Sequence, residues 1–352
     1  MAFEGTDPHA GGQGEFVEIA GTSHAPAPLV GMTAAAPKSV SLFPLVKKGE
    51  RAQITRLLER HPELVTETDI EMNTPLHVAV EAQRNEIATI QCLIEAQADI
   101  NATNIMGATP LHYVALRKTN HRSVANVLLE NGANVQQPAT SGKSALHYAC
   151  SEGLVELSKV LLWFGADPNA RDAEGATPML TVFSTGGRDV VKRQLMDLLI
   201  EFQADHTLRT NFEASALHLA CGHGYKTCVT GLLAAANVDA RAVNGLGETP
   251  LHCAASAGWT SVGVELLAHC PELVDLADLN GNTALHRCAI EGHLEMGQEL
   301  LRLGADVKRK NGSNKTALDL AKVKGNDLSS THNAELVQAL KDAKKSGNCL
   351  QQ

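Results

Sequence analysis

Residues 247–260 read Gly247-Glu248-Thr249-Pro250-Leu251-His252-Cys253-Ala254-Ala255-Ser256-Ala257-Gly258-Trp259-Thr260. Thr249 suits an N-cap, because its side-chain oxygen accepts a backbone N–H of the first helical turn. Pro250 suits the first helical position, which needs no N–H donor, and His252, three residues after the cap, can reach back to it as in a capping box. Gly258 accepts the left-handed conformation that ends a short helix. The stretch predicts a short helix that begins after Thr249 and ends before Gly258.

The same phrase recurs along the chain. Eight copies begin at cap residues spaced 33–38 residues apart: Thr74, Thr109, Ser144, Thr177, Ser215, Thr249, Thr283 and Thr316. In five copies a glycine stands two residues before the cap, as a tight turn requires, and in six a glycine stands nine residues after it. A second run with helical apolar period follows, for example Leu154, Leu157, Val160 and Leu161. Each copy therefore predicts one turn and two short helices, repeated as a structural unit.

A closing phrase completes the pattern. It reads Gly165-Ala166-Asp167-Pro168-Asn169-Ala170 in one copy and Gly304-Ala305-Asp306-Val307 in another. With these phrases, residues 40–345 resemble the ankyrin-repeat family. The resemblance implies an all-α solenoid of about nine stacked repeats, each a helix pair with a β-hairpin tip. It also implies a concave, protein-binding surface formed by the tips and the inner helices, but it does not identify the partner.

The two ends of the chain differ from the repeats. Residues 1–39 contain 18 Gly, Ala or Pro and no periodic pattern, which predicts a disordered N-terminal tail. Residues 40–68 are a degenerate N-terminal cap repeat in which the apolar positions and one glycine still fit a helix pair: Leu42, Leu45, Gly49, Ile54, Leu57 and Leu58. Residues 69–345 hold the eight repeats, the last outer helix being Ala334 to Lys345, and residues 346–352 are predicted to be a flexible tail.

The copy that begins at Thr177 departs most from the pattern. Leu180 replaces the histidine, Gly186-Gly187 follows, and the spacing to the next copy grows to 38 residues. The departure is either tolerated change or the footprint of a partner, and the first is favoured because loop insertions cost little stability. Because a histidine is lost and a flexible glycine pair is gained, this repeat is expected to have the least stable interfaces in the array.

Composition excludes several classes of function. The chain carries −9 overall; residues 302–352 hold ten Lys or Arg and five Asp or Glu, so residues 1–301 carry −14. With aromatics at 3%, the chain lacks the basic stripe and stacking aromatics of a nucleic-acid binder. We expect no nucleic-acid partner. The absence of an export signal and of paired cysteines leads us to expect reduced thiols and a monomer in the cytoplasm, with the nucleus as an alternative.

No residue set predicts an enzyme, a metal site or a cofactor. The six motif histidines occur once per repeat, at a separation of about 8–10 Å, too far apart to share a zinc ion; they are interpreted as capping residues: His77, His112, His147, His218, His252 and His286. Ser141-Gly142-Lys143-Ser144 lacks the first glycine of a phosphate-binding loop. The inner-helix cysteines are interpreted as small apolar core residues: Cys150, Cys221, Cys253 and Cys288.

The predicted function is that of a scaffold or adaptor that binds one or more proteins. Turn tips meet water, yet several carry apolar residues. Ile105 and Met106 precede Gly107, Leu246 precedes Gly247, Leu279 is near Gly281, and Phe212 is at the equivalent tip of another repeat. Aligned exposed apolar residues predict a binding stripe; alternatively, each tip residue packs on the neighbouring turn. A second candidate function is a regulatory or targeting subunit of an enzyme.

The C-terminus carries a possible targeting signal. Cys349-Leu350-Gln351-Gln352 resembles a C-a-a-X prenylation box, and the three lysines just upstream would complete a two-signal membrane anchor. Gln351, however, occupies a position where an aliphatic residue is usual. The favoured interpretation is therefore a solvated polar tail, with lipidation of Cys349, and the membrane association that would follow, as the alternative.

Overall fold

A computed structural model describes residues 40–82, 86–117, 119–324 and 331–346. Within these ranges the chain forms nine consecutive helix pairs. They are Phe43–Lys48 with Arg51–Arg60 (α1, α2), Pro75–Glu81 with Glu86–Glu95 (α3, α4), Pro110–Tyr113 with His121–Glu130 (α5, α6), Ala145–Ser151 with Val155–Trp163 (α7, α8), Pro178–Ser184 with Asp189–Glu201 (α9, α10), Ala216–His223 with Lys226–Ala234 (α11, α12), Pro250–Ala257 with Thr260–His269 (α13, α14), Ala284–Glu291 with Leu294–Arg302 (α15, α16), and Ala317–Lys324 with Thr331–Ser346 (α17, α18).

The helices stack in two layers. The first helices of the pairs, here called inner helices, contact the inner helices of the repeats before and after, and the second, or outer, helices do the same. The third residue of the motif phrase faces the core in every copy and is buried: Leu76, Leu111, Leu146, Met179, Leu217, Leu251, Leu285 and Leu318. Small side chains such as Ala149, Ala220 and Ala254 fill the space between inner helices. The prediction of an all-α solenoid is confirmed.

The tips of the repeats are tighter than a β-hairpin. In a representative tip, the backbone N–H of Asn244 donates to the carbonyl of Glu248 at 3.0 Å, and Gly247 N–H donates to the carbonyl of Asn244 at 2.8 Å. No regular strand is present in the described residues; two isolated bridges, Arg209 with Ser215 and Lys310 with Thr316, are the extent of pairing. These bonds close a single turn and leave no room for a ladder, so the implied β-hairpins are turns.

Most predicted helix ends are present. Gly153, Gly224, Gly258 and Gly292 adopt left-handed φ values of 74–85° at the ends of inner helices. Gly186 does not, because α9 already ends at Ser184 and its C-cap residue, Thr185, is extended (φ −121°). The sixth glycine, Gly325, lies outside the described residues, as do the predicted N-terminal tail and residues 347–352.

Each of the two terminal repeats forms a helix pair. Helices α1 and α2 form the cap repeat, with Gly49 left-handed between them at φ 69° and Leu42, Ile54 and Leu58 buried. At the other end, α18 begins at Thr331 and runs to Ser346, three residues earlier and one residue later than predicted. Ser346 is therefore the end of a helix rather than the start of the tail.

The Thr177 repeat (α9 and α10) lacks the motif histidine and has a polar network at the C-terminal end of its inner helix. The Thr185 hydroxyl donates to the carbonyl of Ser151 in the preceding repeat at 2.8 Å, and the Lys192 ammonium donates to that hydroxyl at 3.0 Å. The Tyr225 hydroxyl of the following repeat donates to the Thr185 carbonyl at 2.6 Å. The longer spacing of this copy is accommodated by the loop at residues 185–188 and by the 13-residue α10.

Candidate functional site

The motif histidines tie each repeat to the next. In the Thr249 repeat (α13 and α14), Nδ1 of His252 accepts the cap backbone N–H at 3.1 Å, and Nε2 donates to the carbonyl of Asn282, one repeat further on, at 2.9 Å. The other five histidines make the same pair of bonds, with Nε2 to carbonyl distances of 2.9–3.2 Å. Each histidine therefore joins a capping box to an inter-repeat bond, as the capping interpretation predicted.

These bonds define the protonation state of the imidazoles. A backbone N–H can only donate, so Nδ1 is an acceptor and the ring proton resides on Nε2. Burial lowers the pKa of all six imidazoles and brings that of His112 to about 4. Both ring nitrogens are already engaged, so a metal ion could bind only if these bonds were broken. The histidines are structural.

The other candidate reactive groups are also engaged in packing. Burial raises the pKa of the Cys150 thiol to about 12, raises that of Cys253 to the same value, and raises the pKa of Cys221 and Cys288 as well. Such thiols are protonated and poorly nucleophilic at neutral pH. Ser144 caps α7 and its hydroxyl lies 2.9 Å from Nδ1 of His147. This serine therefore belongs to a helix cap, and the structure provides no phosphate-binding loop in this described segment.

The turn tips form one continuous row. Each turn after the first donates one backbone N–H to a carbonyl of the turn before it. The bonds are Ile105 N–H to Glu71 O, Thr140 N–H to Met106 O, Ala173 N–H to Ser141 O, Asn211 N–H to Glu174 O, Gly245 N–H to Phe212 O, Leu279 N–H to Leu246 O and Gly312 N–H to Asn280 O. We call residues 69–73, 104–108, 139–143, 172–176, 210–214, 244–248, 278–282 and 311–315 the tip row. Asparagine side chains add further bonds between some tips, for example from Asn104 to Asn73 at 2.9 Å and from Asn311 to Asn282 at 2.9 Å. The apolar side chains of the row take no part in these bonds.

The five predicted binding residues all lie in this row and are exposed. Phe212 and Leu279 are each 77% exposed, Met106 63%, and Ile105 and Leu246 59% each. Leu279 packs on the neighbouring turn, where its Cγ lies 2.8 Å from the position that a Cβ on Gly247 would occupy. Most of its side chain nevertheless faces solvent. Packing on the adjacent turn thus leaves these residues available, and partner binding by them stays a prediction.

Two further residues of the row are apolar and exposed but were not predicted from the sequence. Ile70 is 98% exposed and Met72 is 49% exposed, both on the first turn. Met72 occupies the position that glycine fills in five other turns and adopts the same left-handed conformation, with φ 62°. Glu213 and Asn314 do so in two more turns, each with φ 58°. No glycine marks the turn of Ile70 and Met72, and neither residue was among those predicted to bind a partner.

A second exposed surface lies between outer helices α6 and α8. A groove of about 440 Å³ is lined there by Arg122, Asn126, Glu156, Lys159, Trp163 and Phe164, among others. Trp163 is 78% exposed at the end of α8, and Arg122 lies 3.7 Å from Glu156 across the two helices. The apolar period of Leu154, Leu157, Val160 and Leu161 predicted this helix, but Trp163 was not singled out from the sequence.

Two further points concern the membrane. Cys349 lies outside the described residues, so the structure neither places it nor tests its lipidation. Among the described residues, no helix has the length and apolar character needed to cross a bilayer.

Comparison with known proteins identifies the class to which this helical solenoid belongs. The family model for ankyrin repeats matches residues 42–139, 107–172, 146–242 and 217–311. The crystal structure of the human ASB11 ankyrin repeat domain is similar to this chain, with 29% sequence identity and a TM-score of 0.54, over 67% of this chain and 98% of that one. The chain belongs to the ankyrin-repeat family, whose members are generally non-catalytic protein–protein interaction modules.

Proposed function

We propose that this protein is a scaffold or adaptor that binds partner proteins through the tip row. The observation that carries the proposal is the set of exposed apolar residues on turns that are joined into one row by backbone hydrogen bonds. Monomeric proteins rarely align large apolar side chains in solvent, and interface energy concentrates in a few such anchors.

The row is suited to tight binding because it is preorganised. Each tip is closed by its own backbone bond and bonded to the next tip, so the side-chain anchors are held before a partner arrives. Less conformational entropy is lost on association when the binding surface is already ordered. No described residue set supports catalysis, which makes binding rather than chemistry the proposed activity.

The test compares two sets of charged substitutions in quantitative affinity purification from native cells. Met106→Glu, Phe212→Glu and Leu246→Glu place charges on the tip row, whereas Trp163→Glu and Val190→Glu place them on exposed apolar positions of outer helices. We expect the first set to lose the recovered partners and the second to retain them, with unchanged melting curves for both. Retention of every partner by the tip variants would refute the proposal.

The same experiment addresses the alternative of an enzyme subunit, which predicts one catalytic chain at a one-to-one ratio. Several unrelated partners support the adaptor. Membrane targeting is tested separately by the intact mass of protein from native cells. We expect an unmodified C-terminus; loss of the last three residues together with an isoprenoid on Cys349 would support the targeting subunit instead.

A further inference from the structure

The tip row has opposite charge at its two ends. At the N-terminal end, Ile70, Met72, Ile105 and Met106 are exposed beside three carboxylates, those of Glu67, Asp69 and Glu71. We call these seven residues the acidic patch. At the C-terminal end, Phe212, Leu246 and Leu279 are exposed and are followed by Lys308, Arg309, Lys310 and Lys315, which are all exposed in and beside the last turn. We call these seven residues the basic patch.

The members of the basic patch are neighbours in space. Gly245 N–H donates to the carbonyl of Phe212 at 2.8 Å, and Leu279 N–H donates to the carbonyl of Leu246 at 3.1 Å. Gly312 N–H then donates to the carbonyl of Asn280 at 2.8 Å. The three apolar tips and the cationic turn therefore follow one another without a gap.

The cations of the basic patch are not neutralised by their neighbours. Glu248 and Asp278 are mostly buried, and each contacts the Arg287 guanidinium at 2.6 Å. Three other carboxylates lie near these cations and accept hydrogen bonds from neutral donors. Asp306 accepts the backbone N–H of Lys308 at 2.8 Å, Asp275 accepts that of Asp306 at 3.0 Å, and Asp319 accepts the Thr316 hydroxyl at 2.8 Å. Among the described residues, Lys308, Arg309, Lys310 and Lys315 form no ion pair, so three net positive charges remain in residues 306–315.

The acidic patch is the counterpart. The Asp69 carboxylate accepts the backbone N–H groups of Glu71 and Asn73, both at 2.9 Å, and Glu71 accepts the Asn73 side-chain amide at 3.1 Å. Glu67 accepts the Ser41 hydroxyl at 3.1 Å. These are bonds to neutral donors, so three negative charges persist in residues 67–73, which contain no Lys or Arg.

We propose that this charge polarity orients the partner. The occupant is an extended protein segment whose acidic, apolar part lies on the basic patch and whose basic, apolar part lies on the acidic patch. The inference rests on the proposed function and adds the chemistry and direction of the ligand. At about 8–10 Å per repeat, the three steps from the turn of Phe212 to that of Lys310 span about 24–30 Å, the reach of about eight extended residues.

The first experiment uses three synthetic peptides of about twelve residues with the same leucines and with Glu, Lys or Gln at the other positions. Fluorescence anisotropy measures their binding to the full chain. The acidic peptide should bind more tightly than the neutral one, and rising salt should weaken it because exposed charges are screened. Lys308→Glu, Arg309→Glu and Lys310→Glu together should weaken it about tenfold or more.

A matched control makes the same charge change elsewhere. Lys341→Glu, Lys344→Glu and Lys345→Glu reverse three exposed lysines on α18, outside the tip row. This variant should bind the acidic peptide as the unmodified chain does. Equal loss in both variants would overturn the proposal, because net charge rather than the basic patch would then explain the binding. Failure of the acidic peptide to exceed the neutral one would also overturn it.

Direction is tested with a longer probe that joins the lysine-bearing and glutamate-bearing sequences and carries a photo-crosslinker at its acidic end. Crosslinks should fall in residues 306–315; crosslinks in residues 67–73 would overturn the proposal.

Self-association of the chain without peptide, abolished by the triple reversal at Lys308, Arg309 and Lys310, would also overturn the proposal, since the acidic patch of a second copy would then be the occupant. If the neutral peptide bound as tightly as the acidic one and Leu246→Glu abolished that binding, the proposed function would stand. Only the proposal that charge orients the partner would then be overturned.

Discussion

The Thr249 and Thr177 repeats differ in how they are joined to the repeat that follows. The Thr249 repeat is joined at both ends of its inner helix, where His252 bonds to the carbonyl of Asn282 and His293 bonds to the carbonyl of Ser256. The Thr177 repeat has no histidine link of its own and is joined at the C-terminal end, where Tyr225 bonds to the carbonyl of Thr185. The link at the C-terminal end is therefore common to both repeats, and the Thr177 repeat lacks only the one made by the histidine.

The two repeats differ in the free energy needed to bury their polar groups. An imidazole can be buried in its neutral form without difficulty, since its ordinary pKa is about 6.5. Lys192 is buried in the Thr177 network, and burial lowers its pKa from the ordinary value. Desolvation of an amine opposes folding, so the buried Lys192 costs more free energy than a buried neutral histidine does.

The largest expected effect is a loss of stability in acid, which arises from the six repeats that carry a motif histidine and not from the Thr177 repeat. Burial lowers the pKa of the six motif histidines, so the unfolded chain takes up protons below pH 6.5 while the folded chain does not until lower pH, about 4 at His112. Each buried histidine lowers the unfolding free energy by up to about 1.4 kcal/mol per pH unit in that window. Urea unfolding at pH 7, 6 and 5 should reveal a steep decline; a flat profile would contradict it.

The next effect comes from giving the Thr249 repeat the residue of the Thr177 repeat. His252→Leu leaves the Thr249 N–H without its acceptor, whereas the Asn282 carbonyl keeps the Asp278 N–H as a donor at 2.9 Å. We expect a loss of about 1–3 kcal/mol in unfolding free energy, the cost of one unsatisfied buried group. The variant should also have a shallower acid profile. A change below about 0.5 kcal/mol would mean that the histidine link contributes little.

Hydrogen exchange compares the regions within one molecule. Amides in residues 180–205 should exchange about tenfold faster than those in residues 144–165, because the buried amine and the exposed glycine pair favour local opening. Mass spectrometry of peptides from these segments, corrected for intrinsic rates, measures the difference. Equal protection would indicate that the network around Thr185 fully replaces the histidine.

The smallest effect lies in the turns that follow the two repeats. Gly281 follows the Thr249 repeat and Glu213 follows the Thr177 repeat, both left-handed, with φ 74° and 58°. Glu213→Gly should stabilise the chain by up to about 1 kcal/mol, because the strain of a side chain in this conformation exceeds the added freedom of glycine when unfolded. Gly281→Ala should destabilise it, since the new Cβ would meet the Gly312 backbone at 2.6 Å. Thermal melts measure both changes.

The sequence predicted the features that depend on one residue type at one position. The histidine links, the capped inner helices and the left-handed glycines all follow from local chemistry repeated in phase. The network of Thr185, Lys192 and Tyr225 could not be predicted, because its members are 7–40 residues apart and differ in type from those of other repeats. Trp259 and His293 make the bond equivalent to that of Tyr225 with a different side chain each time, so no single residue type marks it. Met72 was missed for a different reason: methionine carries no signal for a left-handed turn, and only the surrounding structure holds it there.

The backbone bonds between consecutive tips have a consequence for how such a surface changes in evolution. Since the connection from Leu246 to Leu279 is made by an N–H and a carbonyl, it is the same whatever side chains occupy those positions. The backbone bonds that align these tips are thus separate from the exposed side chains, and the side chains can be substituted without disturbing the bonds. A library randomised at the exposed tip positions should therefore keep its fold while its members acquire new ligands.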